Sequence, residues 1–481
     1  MGGMPPIAAS ATLPETMRRT AAPAWLVMLL VCAGQFLVVL DVSVVNVALP
    51  AMRTGLGLSE LGLQWIVNAY VITFAGFMLL GGRAADIFGR KRIFVLGLAL
   101  FTVASLGGAL AQQPWQLIAA RTVQGVGAAV LSPATLTILT TSFPTGPART
   151  HAIATWTAVG AGGGAVGGLV GGVLTEYLSW RWVLLINVPV GALVLAGAAL
   201  WLTESRQGAA RRLDVPGAVL VTGGLALVAY GIVQTETDGW RSASALLPLA
   251  AGLVVIAAFL AVEARAKAPL MPLGLFRLRS VHSANGAMVL AGAAMFSMWY
   301  FLSLYVQNVL GYRPLEAGLS FIPHSLSIVL GSKIAPRLMN RLGAKTLAIA
   351  GAVISASGMA WQGTMDVDGT YLGTILGPGI LMALGAGLTA TPIAAIATSG
   401  ADPADQGLVS GLINTSRQMG GALGLSVLST VAASRIEAGH GPKALADGYG
   451  LAFQVGSMIL LGSILLMVIA LPRRRADATP G

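Results

Sequence analysis

The chain has 481 residues, of which 56% are hydrophobic and only 10% are charged, and its formal net charge is +11. Soluble globular domains carry charge on about a quarter of their residues, so this composition excludes an ordinary soluble protein. The apolar residues fall into blocks of about 20, the length of an α-helix that crosses the hydrocarbon core of a bilayer. The sequence therefore predicts an all-α polytopic membrane protein, in which the basic residues mark loop topology rather than a nucleic-acid surface.

Fourteen apolar spans are predicted in chain order. Their approximate bounds are 24–50, 61–82, 93–112, 115–142, 151–178, 181–202, 214–235, 243–263, 282–310, 315–339, 345–363, 370–398, 407–433 and 450–471. An even number of spans returns the C-terminus to the side of the N-terminus, and most Lys and Arg residues fall in loops on that side. The positive-inside rule then places both termini in the cytoplasm and the chain in the cell's inner (plasma) membrane.

A weak internal repeat divides the spans into two halves. GGRAADIFGRK (81–91) follows span 2 and APRLMNRLGAK (335–345) ends span 10, so that Gly89 aligns with Gly343. Repeated halves with a site between them are typical of transporters. The predicted segments are a cytoplasmic tail (1–23), a six-helix bundle (24–203), an inserted pair of helices with flanking cytoplasmic loops (204–281), a second six-helix bundle (282–472) and a cytoplasmic tail (473–481).

The first and fourth spans each contain a charge deep in the membrane. LDVSVVNVALP (40–50) carries Asp41, and RTVQGVGAAVLSP (121–133) begins with Arg121. A carboxylate at mid-depth costs roughly 3 kcal/mol or more, so such a group should face protein or water and have a counter-charge. Because Asp41 is the one acid predicted well inside any span, we expect these two residues to pair. A purely structural salt bridge is the alternative to a functional one.

The loop after span 2 packs one acid among basic residues, in the stretch GGRAADIFGRKR (81–92). Its candidate functional residues are Arg83, Asp86, Gly89 and Arg90. Glycine permits a sharp backbone turn, and Asp86 either pairs with Arg90 or caps a helix N-terminus. A topology signal without further function is the alternative.

Span 5 contains GAGGGAVGGLVGG (160–172), in which glycines recur every four residues. This small-xxx-small pattern predicts close helix contact in the membrane. A dinucleotide-binding loop would need a preceding strand, and none is predicted. The glycines expected to matter for packing are Gly163, Gly167, Gly168, Gly171 and Gly172.

A further set of side chains is predicted to line a substrate cavity. Its members are Asn46, Gln124, Met295, Phe296, Trp299, His324, Asn414 and Arg417. Methionine and aromatic side chains offer an adaptable surface to an apolar substrate. His324 is either a titratable group of the transport cycle or a helix-packing residue. Arg417 either lines the cavity or binds backbone carbonyls.

Nothing in the sequence indicates enzyme chemistry. No G-x-x-x-x-G-K-[ST] loop is present, and four scattered histidines and one cysteine give no metal cluster. No cofactor and no metal are therefore predicted. The expected partners are a small-molecule substrate, protons and the lipid bilayer, and we expect the chain to act as a monomer.

In combination these motifs resemble the major facilitator superfamily, in its fourteen-helix branch of drug/proton antiporters. LDVSVVNVALP resembles that branch's first-helix motif and GGRAADIFGRKR the superfamily's loop 2–3 motif. RTVQGVGAAVLSPA resembles the span 4 motif, and GLINTSRQMGGALG (411–424) the branch's penultimate helix. The likeness runs from about residue 24 to 470.

The resemblance implies two six-helix bundles that rock about a central cavity, with spans 7 and 8 peripheral. It also implies that Asp41 binds the proton, that Arg121 tunes its proton affinity, and that Asp86 latches the cytoplasmic gate against the N-terminus of span 13. The antiporter motif of span 5 normally reads Gly-Pro-x-x-Gly-Gly, whereas here Gly168 stands in place of the proline. Close packing survives this change, but a fixed kink need not.

The sequence thus predicts a proton-coupled antiporter that exports amphipathic small molecules such as drugs, dyes or antibiotics. A single deep acid predicts one proton per cycle. The alternatives are a proton-coupled importer or facilitator of a small metabolite, and a non-transporting membrane sensor or scaffold. Uptake driven by an inward proton gradient would reveal the first, and an absence of vectorial flux would favour the second.

Overall fold

A computed structural model describes residues 23–472 apart from 145, 206–212, 240, 267–268, 403–404, 438 and 440. The predicted tails, but for residue 23, and the middle of the loop after span 6 lie outside the described residues. Within the described part every regular element is helical. The α-helices are α1 (Ala24–Leu56), α2 (Glu60–Phe88), α3 (Arg90–Ala109), α4 (Pro114–Ser142), α5 (Pro147–Tyr177), α6 (Arg181–Leu185), α7 (Asn187–Trp201), α8 (Val215–Asp238), α9 (Ala243–Arg265), α10 (Arg279–Asn308), α11 (Pro314–Ser320), α12 (Ile322–Leu342), α13 (Ala344–Gln362), α14 (Gly377–Ser399), α15 (Gln406–Ile436) and α16 (Gly441–Ala470).

These helices account for the predicted spans. α6 and α7 together form span 6 with a break at Ile186, and α11 and α12 form span 10 with a break at Phe321. Among the described residues, 13 helices are long and apolar enough to cross a membrane. α12 is not one of them, because Lys333, Arg337 and Arg341 lower its mean hydropathy. The chain is therefore a polytopic helical membrane protein, as predicted.

Several helices extend beyond their predicted ends. α1 continues through Pro50 to Leu56, and α16 begins at Gly441, nine residues before the predicted start of span 14. Proline within a membrane helix is tolerated where neighbouring side chains satisfy the freed carbonyl. The prediction that span 1 ends at Pro50 is therefore wrong, and the reason lies in a contact from α10 described below.

The two halves of the chain pack alike. In the N-terminal half (α1–α7), α1 packs on α5, α2 and α3 both pack on α4, and α3 packs on α7. In the C-terminal half (α10–α16), α10 packs on α15, α12 and α13 both pack on α14, and α13 packs on α16. Gly89 and Gly343 both take positive φ angles, +107° and +81°, at the equivalent turns. The aligned loops of the sequence repeat thus adopt equivalent backbone turns.

α8 and α9 pack mainly on each other, and α8 also contacts α2 and α15. Gly76 of α2 lies against Thr222 of α8, and the Thr430 hydroxyl of α15 donates to the Ile232 carbonyl of α8 at 3.3 Å. The inserted pair therefore covers the seam between α2 and α15 from one side. The boundaries of the five predicted segments stay a prediction.

The glycines of α5 form two ridges that serve different halves of the chain. A Cβ on Gly171 would lie 2.9 Å from Val44 Cα of α1, and one on Gly167 would lie 2.5 Å from Ser43 Cβ. On the adjacent ridge, a Cβ on Gly172 would lie 2.6 Å from the Pro314 carbonyl oxygen of α11. Gly168 of α5 packs on Gly318 of α11. Small residues thus allow α5 to contact both halves at backbone distance.

The halves also meet through hydrogen bonds in the distal part of the molecule, defined here as the side opposite the start of α1. Pro50 has no N–H, so the carbonyl of Asn46 lacks its donor within α1. The Ser303 hydroxyl of α10 donates to that carbonyl at 2.7 Å, and Gln307 Nε2 donates to the Val47 carbonyl at 3.0 Å. We call these two bonds the distal clasp. The clasp closes the distal side between α1 and α10.

The ridge on α1 predicts a position-specific effect of adding one methyl group. In Gly171→Ala the new Cβ meets the α1 backbone, and overpacking of this kind costs about 1–3 kcal/mol. Gly162→Ala is the matched control, because nothing lies within 4 Å of its Cβ position. We expect a lower midpoint of thermal unfolding in detergent for Gly171→Ala alone. Equal midpoints for both variants would contradict the assigned contact.

Candidate functional site

Asp41 lies at the centre of a buried polar network inside the N-terminal half. Its side chain has no solvent exposure. Oδ2 accepts from Arg121 Nη1 at 2.5 Å, and Oδ1 accepts from Gln124 Nε2 at 2.7 Å and from Asn187 Nδ2 at 3.0 Å. The structure therefore brings Asp41 and Arg121 into direct contact and gives the carboxylate three donors, from α4 and α7.

Arg121 has further partners besides Asp41. Its Nε donates to the Ile66 carbonyl at 3.2 Å, and Nη1 is also within 2.8 Å of Gln124 Oε1. Its guanidinium carbon lies 4.2 Å from the centre of the Tyr70 ring. A cation placed over an aromatic face is stabilised by the ring quadrupole. These contacts give the guanidinium of Arg121 partners besides the Asp41 carboxylate.

Ser105 of α3 completes the network. Its hydroxyl accepts from Gln124 at 3.2 Å and from Asn187 at 3.0 Å, and donates to the Leu184 carbonyl at 2.9 Å. The prediction that Gln124 lines the substrate cavity is wrong for this conformation, because its side chain is fully buried here. Ser105 and Asn187 were not among the predicted site residues. The signal available in the sequence was Asn187, a lone amide within an apolar span.

The stretch predicted as a loop after span 2 is helical except for the turn at Gly89, because Arg83 and Asp86 lie at the end of α2 and Arg90 begins α3. Arg83 Nη1 donates to the Pro269 carbonyl at 2.5 Å, and Asp86 Oδ1 accepts from Arg90 Nη2 at 3.2 Å. Of the two predicted options, Asp86 takes the pairing with Arg90. A latch between Asp86 and the N-terminus of α15 stays a prediction.

Glu204, which follows α7, contacts the residues just after the turn at Gly89. It was not among the predicted site residues. Its carboxylate accepts from the backbone N–H groups of Lys91 and Arg92, each at 3.2 Å. These N–H groups belong to the first turn of α3, where an anion is favourable. Gly89 packs directly on the same carboxylate and has φ +107°, so a side chain there would be strained and would clash. At the turn of Gly89, α2 and α3 therefore contact the segment that follows α7.

The predicted cavity residues fall into two groups. Asn414 and Arg417 of α15 are exposed, whereas Asn46 of α1 and Met295, Phe296 and Trp299 of α10 are half-buried. α1 belongs to the N-terminal half, whereas α10 and α15 belong to the C-terminal half, and α1 meets α10 at the distal clasp. That these side chains line a substrate cavity stays a prediction.

His324 does not belong to that cavity. Its side chain is fully buried, with Nδ1 3.1 Å from the Ser320 carbonyl and Nε2 3.1 Å from the Ile375 carbonyl. Edge-on contacts with Trp299 and Phe321 enclose the ring. The cavity prediction for His324 is therefore wrong, because its side of α12 packs inside the C-terminal half. Among the described residues, no three His, Cys, Asp or Glu side chains are placed to hold a metal ion.

The helix pairing, the paired charges and the seam between two similar halves define a polytopic membrane transporter. The family model of the Major Facilitator Superfamily matches residues 31–425. The chain therefore belongs to the Major Facilitator Superfamily, whose members are transporters rather than enzymes.

Known proteins similar to the chain include antibiotic export and resistance proteins. It is 48% identical to a cephamycin export protein of Amycolatopsis lactamdurans, with 94% of both chains covered. It is 39% identical to a puromycin resistance protein of Streptomyces alboniger, over 95% of this chain and 93% of that one. A lincomycin resistance protein of Streptomyces lincolnensis is 33% identical over 94% and 93%. The chain is accordingly related over nearly its whole length to proteins named for antibiotic export or antibiotic resistance.

Solved structures agree in fold. An auto-inhibited peptide transporter of the POT family superposes with a TM-score of 0.71 at 16% identity, covering 95% of this chain and 98% of that one. The inward-open xylose transporter of E. coli gives a TM-score of 0.63 at 15% identity, over 95% and 98%. At these identities the likeness concerns the fold alone.

The buried pair predicts that the protein stays stable after loss of one buried charge only when the opposite charge is removed with it. Arg121→Gln leaves Asp41 buried without its cation, which costs about 3–5 kcal/mol. Adding Asp41→Asn removes the orphaned charge, so we expect the double variant to recover most of the lost thermal stability in detergent. Arg313→Gln is the control, because its guanidinium is exposed and screened by solvent, so we expect its ion pairs to contribute little to stability. Additive losses in the double variant would contradict this coupling.

Proposed function

We propose that the chain exports amphipathic small molecules, antibiotics among them, in exchange for protons, and that Asp41 is the proton-binding group. The observation that carries the proposal is the Asp41 network. A fully buried carboxylate is retained deep in a membrane protein, hydrogen bonded to an arginine and two amides. Ionisable residues at such depth commonly mark proton or substrate pathways.

Asp41 and the distal clasp lie on the same helix. Asn46 and Val47, whose carbonyls accept from α10, follow Asp41 by five and six residues, roughly 8 Å along α1 at 1.5 Å per residue. Protonation of Asp41 removes the charge that holds Arg121, which then relies on Ile66, Gln124 and Tyr70. In the proposed mechanism the charged pair belongs to the form that binds substrate from the cytoplasm, and substrate binding opens the distal clasp through a shift of α1. Asp41 then takes a proton from the outer side as substrate leaves, and the protonated form closes the clasp and releases the proton to the cytoplasm.

The closed distal side suits a state that awaits substrate from the cytoplasm. Asn68 of α2 donates to Ser426 of α15 at 2.9 Å, and the Leu315 N–H of α11 donates to Glu176 of α5 at 3.1 Å. Both contacts, like the clasp, join the halves distally. With the termini in the cytoplasm, as the basic loops predict, this arrangement closes the outer side. The relatives named for cephamycin export and for puromycin and lincomycin resistance support antibiotics as cargo.

Proton flux in inverted vesicles tests the exchange directly. The vesicles are energised to an acidic interior, and cephamycin, puromycin, lincomycin and amphipathic dyes are added in turn while proton efflux is recorded. We expect efflux triggered by one or more compounds with the intact protein and none with Asp41→Asn. Asp366→Asn is the control, because Asp366 is an exposed acid that pairs with the exposed Lys443, and we expect it to behave as the intact protein.

Efflux that persists in Asp41→Asn would move the proton site elsewhere and overturn the role of Asp41. Movement of a compound out of the vesicles together with protons would favour an importer. An absence of flux with every compound would remove the exporter proposal.

The network also predicts the stoichiometry. One deep carboxylate provides one proton site, so we expect one proton per substrate, measured as the reversal potential in proteoliposomes. Each elementary charge that crosses ~100 mV contributes ~2.3 kcal/mol, so one and two protons give clearly separate reversal potentials. A ratio of two or more would require a second carrier of protons.

A further inference from the structure

Arg417 is an exposed cation midway along a membrane helix. Its side chain is exposed at the surface of α15. Its one side-chain contact given by the structure is a bond from Nη2 to Asn414 Oδ1 at 3.4 Å. Within the described ranges no carboxylate lies at salt-bridge distance from it. A deep arginine without an acidic partner is costly and calls for a counter-charge from elsewhere.

The neighbours of α15 show which way Arg417 points. α15 contacts α10 through Gly420 and Gly424, α2 through Ser426 and α8 through Thr430. With 3.6 residues per turn, the step of nine residues from Arg417 to Ser426 places their side chains in opposite directions, so Arg417 does not point toward α2. It lies within the stripe that contacts α10, because its own backbone packs on Gly292 and Gly421 packs on Phe296. Phe296 lies about two turns before Ser303, which bonds to Asn46 of α1, so this face of α10 turns toward the space between the two halves.

The accessible charge in this space is therefore positive. Asp41 is fully buried and already bonded to three donors within the N-terminal half. It is not placed to meet a cationic substrate in this conformation. Arg417, by contrast, is open, with the exposed amide of Asn414 one turn away.

An apolar surface adjoins the charge. Phe296 of α10 packs against Gly421, one turn of α15 beyond Arg417, and is half-buried. Met295 and Trp299 of the same helix are also half-buried. A charged group and a neighbouring aromatic and methionine surface fit a ligand with one anionic end and an apolar body.

We propose that Arg417 and Asn414 form an anion-binding subsite that takes the carboxylate of amphipathic substrates, with the apolar body against Phe296. The guanidinium presents parallel N–H donors that match a carboxylate in a bidentate geometry. This inference rests on the proposed export function. If one proton enters as one monoanion leaves, two positive charges move inward per cycle, so membrane potential drives export of an anion more than export of an uncharged analogue.

The test compares matched compounds in inverted vesicles. Dansylglycine, its methyl ester and dansylcadaverine share one ring system but carry a carboxylate, no charge and an amine; benzylpenicillin and its methyl ester form a second pair. We expect the carboxylates to be taken up, with an apparent KM raised on the order of tenfold or more in Arg417→Gln. Arg417→Lys, which keeps the charge but loses the fork, should fall between. Uptake of the carboxylates should also drop on addition of valinomycin with potassium.

Two controls separate the subsite from general effects. Lys333→Gln removes another exposed cation of a predicted span and should leave the apparent KM of the carboxylates unchanged. Asn414→Ala should raise it less than Arg417→Gln. Thermal unfolding in detergent should be unchanged in Arg417→Gln, because the side chain is exposed.

Other outcomes overturn the inference in distinguishable ways. Uptake of esters or amines but not carboxylates, or an equal effect of Arg417→Gln on all compounds, would refute the anion subsite while leaving export intact. An equal effect of Lys333→Gln would replace the subsite by general electrostatic attraction. No uptake of any compound, including those of the wider antibiotic panel, would remove the export proposal together with this one.

Discussion

The buried contact between Asp41 and Arg121 is the constraint around which the N-terminal half is arranged. Two opposite charges in a low-dielectric interior are stable only when well paired and fully hydrogen bonded. The partners come from four helices, since α1 supplies Asp41, α4 supplies Arg121 and Gln124, α3 supplies Ser105 and α7 supplies Asn187. Any change of charge at Asp41 therefore alters contacts across most of this half at once.

α1 connects this network to the rest of the molecule. Its middle carries Asp41, its glycine-facing side packs on α5, and its distal part accepts hydrogen bonds from Ser303 and Gln307. Pro50 makes the last of these roles possible, because a missing N–H frees the Asn46 carbonyl for a partner in the other half. One helix thus combines a titratable group with contacts that join the halves, as a proton-driven change of access requires.

The fold and the paired charges could be predicted from the sequence because both depend on scarcity. Apolar blocks of about 20 residues leave few alternatives to membrane helices, and a single deep acid leaves few partners for a deep arginine. Asn187, Ser105 and Glu204 were not assigned, because ordinary polar residues in or beside a span have many possible neighbours. Gln124 and His324 were misplaced for a related reason. Helical periodicity shows which residues share a face, but not whether that face meets its own half or the space between halves.

The central claim is that proton and substrate binding are linked through Asp41. The most direct measurement is proton release by the purified protein in weakly buffered detergent solution when a transported compound is added. We expect release of up to one proton per bound substrate from the intact protein and none from Asp41→Asn, with substrate binding retained. Equal release from both proteins would contradict this claim.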